Sequence, residues 1–424
     1  MTTSSNTPRS WLLALALLPL AATAQQGSVE LGGHTKLRLT GQRWPDDSLF
    51  RDLLGSASTD WAGDLRLNLE WRSAGWSFDA NWQLIGLHGD TLALSSGLPS
   101  NPVVAGARLP DDDRRLFDLT DVISDGADSA LLHRLDRLFV GYASDKTVIR
   151  FGRQALSWGN GLFYAPMDLV NPFDPATIDT EFKTGDDMLY GQYLFDSGND
   201  VQAAAVFRRN LQSGDLDEDA STLAVKYHGF ASEFELDLLV ARSYGDTVIG
   251  LGGSRDVGGA VWRADLVVTD AASDTFAEFV TNASYSWAWG GRNMTGSVEY
   301  YFNGAGQPAG DYDPSSLAGN PVLLARLARG QSFTLGRHYV AANVMIEMTP
   351  LWNLSPVLLI NAADPSALLQ LVTTYSASDN ILLTGSINLP LGAPGTEFGG
   401  IESGVPGRRL SFGAGVFAQF AWYF

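Results

Sequence analysis

The sequence predicts an all-β fold, an antiparallel up-and-down transmembrane β-barrel of eighteen strands, with sixteen as the alternative. Three observations predict it. Apolar and polar residues alternate over segments about as long as the 9–11 residues a tilted strand needs to cross a bilayer. The connections between these segments sort by length into two classes. The chain ends in a strand with one aromatic and apolar face.

Alternation is clearest near the start. Leu65, Leu67, Leu69 and Trp71 alternate with Asp64, Arg66, Asn68, Glu70 and Arg72. After the turn Ser73-Ala74-Gly75, residues Trp76, Phe78, Ala80, Trp82 and Leu84 alternate with Ser77, Asp79, Asn81 and Gln83. A period of two with one apolar face marks a hairpin. One such hairpin suits a soluble sheet equally well, so the weight rests on repetition to the end of the chain. Strands are expected to start near Val29, Trp61, Trp76, Arg134, Thr147, Met188, Val201, Ser221, Glu233, Thr247, Ala260, Phe276, Asn293, His338, Trp352, Ala367, Ile381 and Leu410. The tenth, around Thr247 to Gly252, has the weakest pattern.

The connections test this independently. Short ones, such as Ser144-Asp145-Lys146, Gly290 to Arg292 and Thr349 to Leu351, follow the even-numbered strands. The long ones follow odd-numbered strands: Gly41 to Asp60, Gly86 to His133, Ala155 to Asp187, Arg209 to Ala220, Gly304 to Arg337 and Pro390 to Arg409. A barrel with short turns at one rim and long loops at the other must sort this way, and a soluble sandwich has no reason to. On the last strand Phe412, Ala414, Val416, Ala418, Phe420, Trp422 and Phe424 share a face, although Phe417 and Tyr423 interrupt the polar side.

Residues 1–24 read as a cleaved secretion signal: Arg9, then the apolar Trp11 to Leu20, then Ala22-Thr23-Ala24. That core falls short of the roughly 20 residues a spanning helix requires. The single barrel domain is then 25–424. With no cysteine the chain has neither disulfides nor a lipid-anchoring thiol, and a net charge of −19 argues against nucleic acid as a partner. The 45 glycines and 12 tryptophans suit a β-rich protein.

The terminal strand with Phe420, Trp422 and Phe424 resembles the C-terminal signal of bacterial outer-membrane barrels. Over the whole mature length the chain resembles the porin-like outer-membrane proteins of Gram-negative bacteria. The blocks Asp111 to Asp187 and Leu351 to Leu391 resemble an uncharacterised porin-like family of proteobacteria, whose core is Gly152-Arg153-Gln154, Trp158-Gly159-Asn160-Gly161, Asn171-Pro172-Phe173, Glu181, Lys183 and Asp186-Asp187. The resemblance implies export to the outer membrane, recognition of the C-terminus by the barrel-assembly machinery, contact with lipid and lipopolysaccharide, and a channel for small solutes. A periplasmic partner and a homo-oligomer stay open, as does a plugged or narrow barrel acting in specific uptake or export or as a scaffold around an electron-transfer partner.

Residues 155–187 stand out as a candidate constriction loop. Trp158, Gly159, Gly161, Pro172 and Pro175 would shape it, and Asp168, Asp174, Asp179, Glu181, Lys183, Asp186 and Asp187 would line or anchor it. On the strand before it, Ile149 and Phe151 suit lipid, so Arg150 and Gln154 should face the lumen. Arg153 falls on the lipid side unless a bend turns it inward, since an arginine facing lipid costs about 2–4 kcal/mol at the midplane. On the fourth strand Leu135, Arg137 and Phe139 alternate with Asp136, Leu138 and Val140, which leaves its inner face ambiguous.

Chemistry beyond passage finds little support. The five histidines, His34, His88, His133, His228 and His338, sit in no hydrolase or zinc motif, and no cofactor is implied. The acidic loops at Asp111 to Asp113 and Asp215 to Asp219 match no calcium-loop spacing and read as solvated charge. In the long loop before His338, the stretch Pro321 to Arg329 predicts a helix with Leu323, Leu324 and Leu327 on one face.

Overall fold

The computed structural model describes residues 27–95, 109–308 and 310–424; the segment 1–24 expected to be a secretion signal lies outside them. Eighteen antiparallel strands close into one barrel. They are β1 Ser28–Arg43, β2 Ala57–Ser73, β3 Trp76–Gly89, β4 Ser129–Ala143, β5 Thr147–Gln154 and β6 Asp186–Leu194. There follow β7 Asp200–Val206, β8 Thr222–Ala231, β9 Phe234–Ser243, β10 Asp246–Val257, β11 Ala260–Asp270 and β12 Thr275–Trp289. The last are β13 Arg292–Asn303, β14 His338–Thr349, β15 Trp352–Asn361, β16 Ser366–Ser378, β17 Ile381–Leu391 and β18 Gly415–Tyr423. Each pairs with its sequence neighbours, and β1 pairs with β18 from His34↔Tyr423 to Gln42↔Gly415. Closure leaves each of the eighteen barrel strands paired on both sides. The tenth strand is regular despite its weak pattern, and the eighteenth starts at Gly415 rather than near Leu410, because Arg409–Leu410 pairs with Ile401–Glu402 in the loop above it.

Alternation sets what faces out. Leu31, Leu37, Val140, Ile149, Phe151, Val240, Ile249 and Val298 are exposed on the outer surface. At the short-turn rim aromatic rings gather, including Trp76 against Tyr142 (5.1 Å) and Trp422 against Phe424 (5.2 Å). Such girdles mark where a barrel meets the membrane interface. On β18 the apolar face from Phe412 to Phe424 points outward and Tyr423 points in. Backbone bonds Gly33 N–H to Phe424 O (2.9 Å) and Phe424 N–H to Gly33 O (3.1 Å) fasten the final residue to β1.

A β-bulge resolves the fourth strand. Leu135 pairs with Trp82 and Arg137 with Asn81, so Asp136 is the extra residue. A bulge places two residues against one and resets the alternation. Asp136 and Arg137 therefore both face inward, which no single reading of the period allows.

The wall has one gap, where β5 stops at Gln154 while β4 continues upward. The second long loop fills it. Its strand Thr120–Asp125 pairs with β4, and residues 109–119 reach across to β6 and β7 through Phe117 N–H to Asp187 (2.8 Å) and Arg209 N–H to Arg114 O (2.8 Å).

Candidate functional site: a loop stapled across the lumen

The loop between β5 and β6, residues 155–185, is called L3 below. It enters the barrel and touches most of its inner wall. The inner face of β6 to β11 is apolar at mid-height, with Met188, Tyr190, Ala204, Val206, Ala224, Leu239, Ala241, Val248 and Val267 all buried. Trp158, Met167 and Val170 of L3 pack on this sector, and the Trp158 indole N–H donates to Gln202 (2.7 Å). The sequence marked Trp158 as loop-shaping; the structure makes it the apolar anchor of the loop.

Further round, L3 meets carboxylates. Asp265 on β11 accepts from the backbone N–H (2.7 Å) and the side-chain amide (2.7 Å) of Asn160. Glu299 on β13 accepts three consecutive backbone N–H groups, from Leu162 (2.6 Å), Phe163 (3.0 Å) and Tyr164 (2.8 Å). That nest of amides depends on a tight turn that only glycine permits, since a Cβ at Gly161 would lie 1.8 Å from the Tyr164 carbonyl oxygen. Gly159 sits at φ +101°, where side chains are strained. Tyr164 then stacks on Tyr301 at 4.6 Å. Pro172 and Pro175 lie with Phe173 beside Tyr301 and Phe333, and Gln370 on β16 donates to Ala176 O (3.0 Å).

The far side of the circuit is held by charge. Lys36 on β1 binds Asp179 (2.8 Å) and Glu181 (2.7 Å), Arg38 reaches Asp179 at 3.4 Å, and the Tyr423 hydroxyl donates to Glu181 (2.7 Å). Phe182 covers the Arg66 guanidinium at 4.3 Å. Lys183 turns back into the loop, onto Asp168 (2.5 Å), Leu156 O (2.5 Å) and Ser157 (2.9 Å). Asp174 caps its own turn by accepting from Ala176 N–H (2.8 Å). Leu162, Asp174, Thr177, Thr180, Glu181 and Phe182 keep exposed surface on the loop.

The remaining expected residues belong to the wall. Arg153 is fully buried: it forks onto Asp187 (2.9 and 3.0 Å), binds Asp112 (2.8 Å) and donates to Phe117 O (2.6 Å). Gly152, at φ +125°, is the bend that turns it inward. This knot ties the end of β5, the start of β6 and the filled gap together, so Arg153 and Asp187 are placed to anchor rather than to line. Asp186 pairs likewise with Arg208 (2.8 Å), and Gln154 bonds Met188 O (3.4 Å). Arg150 lies nearer the short-turn rim. It lines a cavity of about 600 Å³ with Arg72, Ser77 and Val148, between the rings of Phe139 (5.8 Å) and Tyr190 (5.7 Å). Among the described residues no carboxylate bridges it.

Sequence reasoning missed the partners on the wall: Lys36, Arg38, Gln202, Asp237 (which Asn160 also reaches, at 3.2 Å), Asp265, Glu278, Glu299, Gln370 and Tyr423. The signal was present as single charged or amide residues on inner faces of otherwise apolar strands, as Asp265 among Leu266, Val267 and Val268. Above L3 the loop 304–337 carries helices Pro314–Ala318 and Pro321–Ala328. Leu323 and Leu327 join Tyr312, Leu317 and Ile401 in a small core of their own, while Arg326 reaches Glu278 (2.7 Å) on β12. The helix thus packs on its own loop and also lies over the mouth.

No model of a known protein family matches the chain, and neither does any curated protein sequence. Solved structures match over almost all of it. Acinetobacter baumannii OccAB4 shares 10% identity over 94% of this chain and 99% of its own, with a TM-score of 0.53. OccAB3 of the same species shares 8% over 93% and 99%, with a TM-score of 0.52. Escherichia coli Wzi, an outer-membrane carbohydrate-binding β-barrel involved in capsule assembly, shares 10% over 92% and 83%, with a TM-score of 0.51. The chain has the closed eighteen-strand fold of porin-like outer-membrane barrels.

Proposed function

We propose that this barrel is an outer-membrane channel through which small hydrophilic or amphipathic solutes diffuse, with L3 as its constriction. The observation that carries the reading is the circuit of L3, docked on β6 to β11, on β13 and β16, and back on β1 and β18. A loop held at so many points narrows the lumen and gives it a fixed polar outline, because each contact removes freedom from a segment that would otherwise sample many states. Asp174 and Glu181 stay exposed on L3, and Arg38 on the wall beside them keeps about a third of its side chain exposed, so these charges would set a local field at the gap. Such a field selects solutes by charge placement. The short-turn rim is then periplasmic, and passage needs no energy source or chemical step.

Planar-bilayer conductance tests this. Wild type is expected to give small, stable steps, and replacing residues 158–182 by a short Gly-Ser linker to enlarge them several-fold. Arg150→Ala should shift the reversal potential in a salt gradient toward cation preference. Absence of any conductance in both wild type and the linker variant would overturn the channel reading.

A further inference from the structure

Around the bulge at Asp136 the inner wall holds more positive than negative charge. Arg66 on β2 donates to Asp136 (2.9 Å), Arg137 donates to the same carboxylate (2.7 Å), and Arg134 stands 3.8 Å from it. Next to it Arg153 and Arg115 share Asp112, and Arg153 also holds Asp187. That is five guanidiniums against three carboxylates, a surplus of two. Residues 96–108 cannot redress it, since their sequence contains one arginine and no acid.

Burial makes the surplus consequential. Arg66 is 1% exposed and Arg134 6%. The Arg66 Nη1 and the Arg134 Nε and Nη2 groups are buried with no hydrogen-bond acceptor among the described residues. Both guanidiniums face the one Asp136 carboxylate, yet each keeps charged N–H donors that nothing accepts, and burial penalises such donors. Guanidinium forks match the planar, two-oxygen face of a carboxylate or phosphate.

We propose that Arg66 and Arg134 hold a small oxyanion, of carboxylate or phosphate type, in the wall beside Asp136, with the Phe182 ring over its lumenal side. The site stands independently of whether the barrel conducts. It binds one anion, neutralises half the surplus and couples the end of L3 to the strand wall through Phe182.

The test is thermal unfolding of the detergent-solubilised full barrel, followed by loss of its compact gel band, in chloride, inorganic phosphate or acetate at matched ionic strength. Phosphate or acetate should raise the wild-type unfolding temperature progressively with concentration. Arg134→Met should lose that response, yet be at least as stable as wild type in chloride, because it removes two orphaned buried donors while Asp136 keeps Arg66 and Arg137. Arg242→Gln, at an exposed arginine beside Asp219 at the end of β9, should keep the response. Isothermal titration with phosphate should give at least tenfold weaker binding in Arg134→Met. Equal shifts in wild type and Arg134→Met would mean a general salt effect, and no shift in wild type would mean no site; either overturns the proposal.

Discussion

On β11 and β13, L3 is held through its own backbone; on β1 and β18 it is held through side-chain charge. Glu299 accepts three successive peptide N–H groups, and Asp265 one N–H and one amide. Lys36 and Arg38 instead grip Asp179 and Glu181. The first grip reads backbone shape, so it survives changes of loop side chain that keep the turn. The second reads charge, so salt screens it wherever water reaches the pair. One end of the loop is therefore fixed by geometry, and the other can be loosened by ions or by a solute carrying charge.

The largest expected effect comes from the anchor beneath both grips. Arg153→Met leaves Asp187 buried without its cation and Asp112 with Arg115 alone, and breaking such a pair costs about 3–5 kcal/mol. The barrel should lose its compact gel band at a clearly lower temperature; an unchanged temperature would remove Arg153 from this role.

Glu299→Gln comes next. It turns one acceptor into a donor facing three N–H groups, at a cost of about 2–3 kcal/mol. Single-channel current should become larger and noisier, and equally so at low and high salt. Lys36→Met should act more weakly, about 1–2 kcal/mol for partly exposed pairs. It should raise cation preference by freeing Asp179 and Glu181, and the difference from wild type should shrink as salt rises. If the two variants show the same salt dependence, the contrast between the grips fails.

The smallest effect concerns the loops above. Glu397 accepts from Tyr339 (2.5 Å), Asn361 (2.7 Å) and Leu335 N–H (2.8 Å), linking residues 392–414 to β14, β15 and the loop 304–337. Burial pushes its carboxyl up to about 7, above the usual glutamate value, against the pull of these donors. A raised folded-state value means its contribution to stability is complete below the unfolded glutamate value, near 4.3, and is lost as pH rises through about 7. Proteolytic cleavage within 392–414 should therefore quicken between about pH 6 and about pH 8, roughly one unit either side of that value. Glu397→Gln should flatten that dependence.

Much of this was legible in one dimension. Period-two alternation, the sorting of long and short connections and the face of the last strand located all eighteen strands, because lipid outside and water inside impose a local, repeating demand on every strand. L3 was legible as an unusual loop through Trp158, its glycines and its prolines. Its destinations were not, since a glutamate in a strand, such as Glu299, looks the same whether it faces water or receives three amides.

The sequence by itself determined the barrel and the rim that carries the long loops, and favoured eighteen strands over sixteen, because membrane partition acts residue by residue along the chain. Tertiary structure alone decided which charges meet. The bulge at Asp136 put two neighbours on one face, Gly152 turned Arg153 into the wall, and closure of β18 onto β1 brought Tyr423 to Glu181. Each depends on chain segments dozens to hundreds of residues apart being brought within hydrogen-bond reach, and no local pattern encodes that distance.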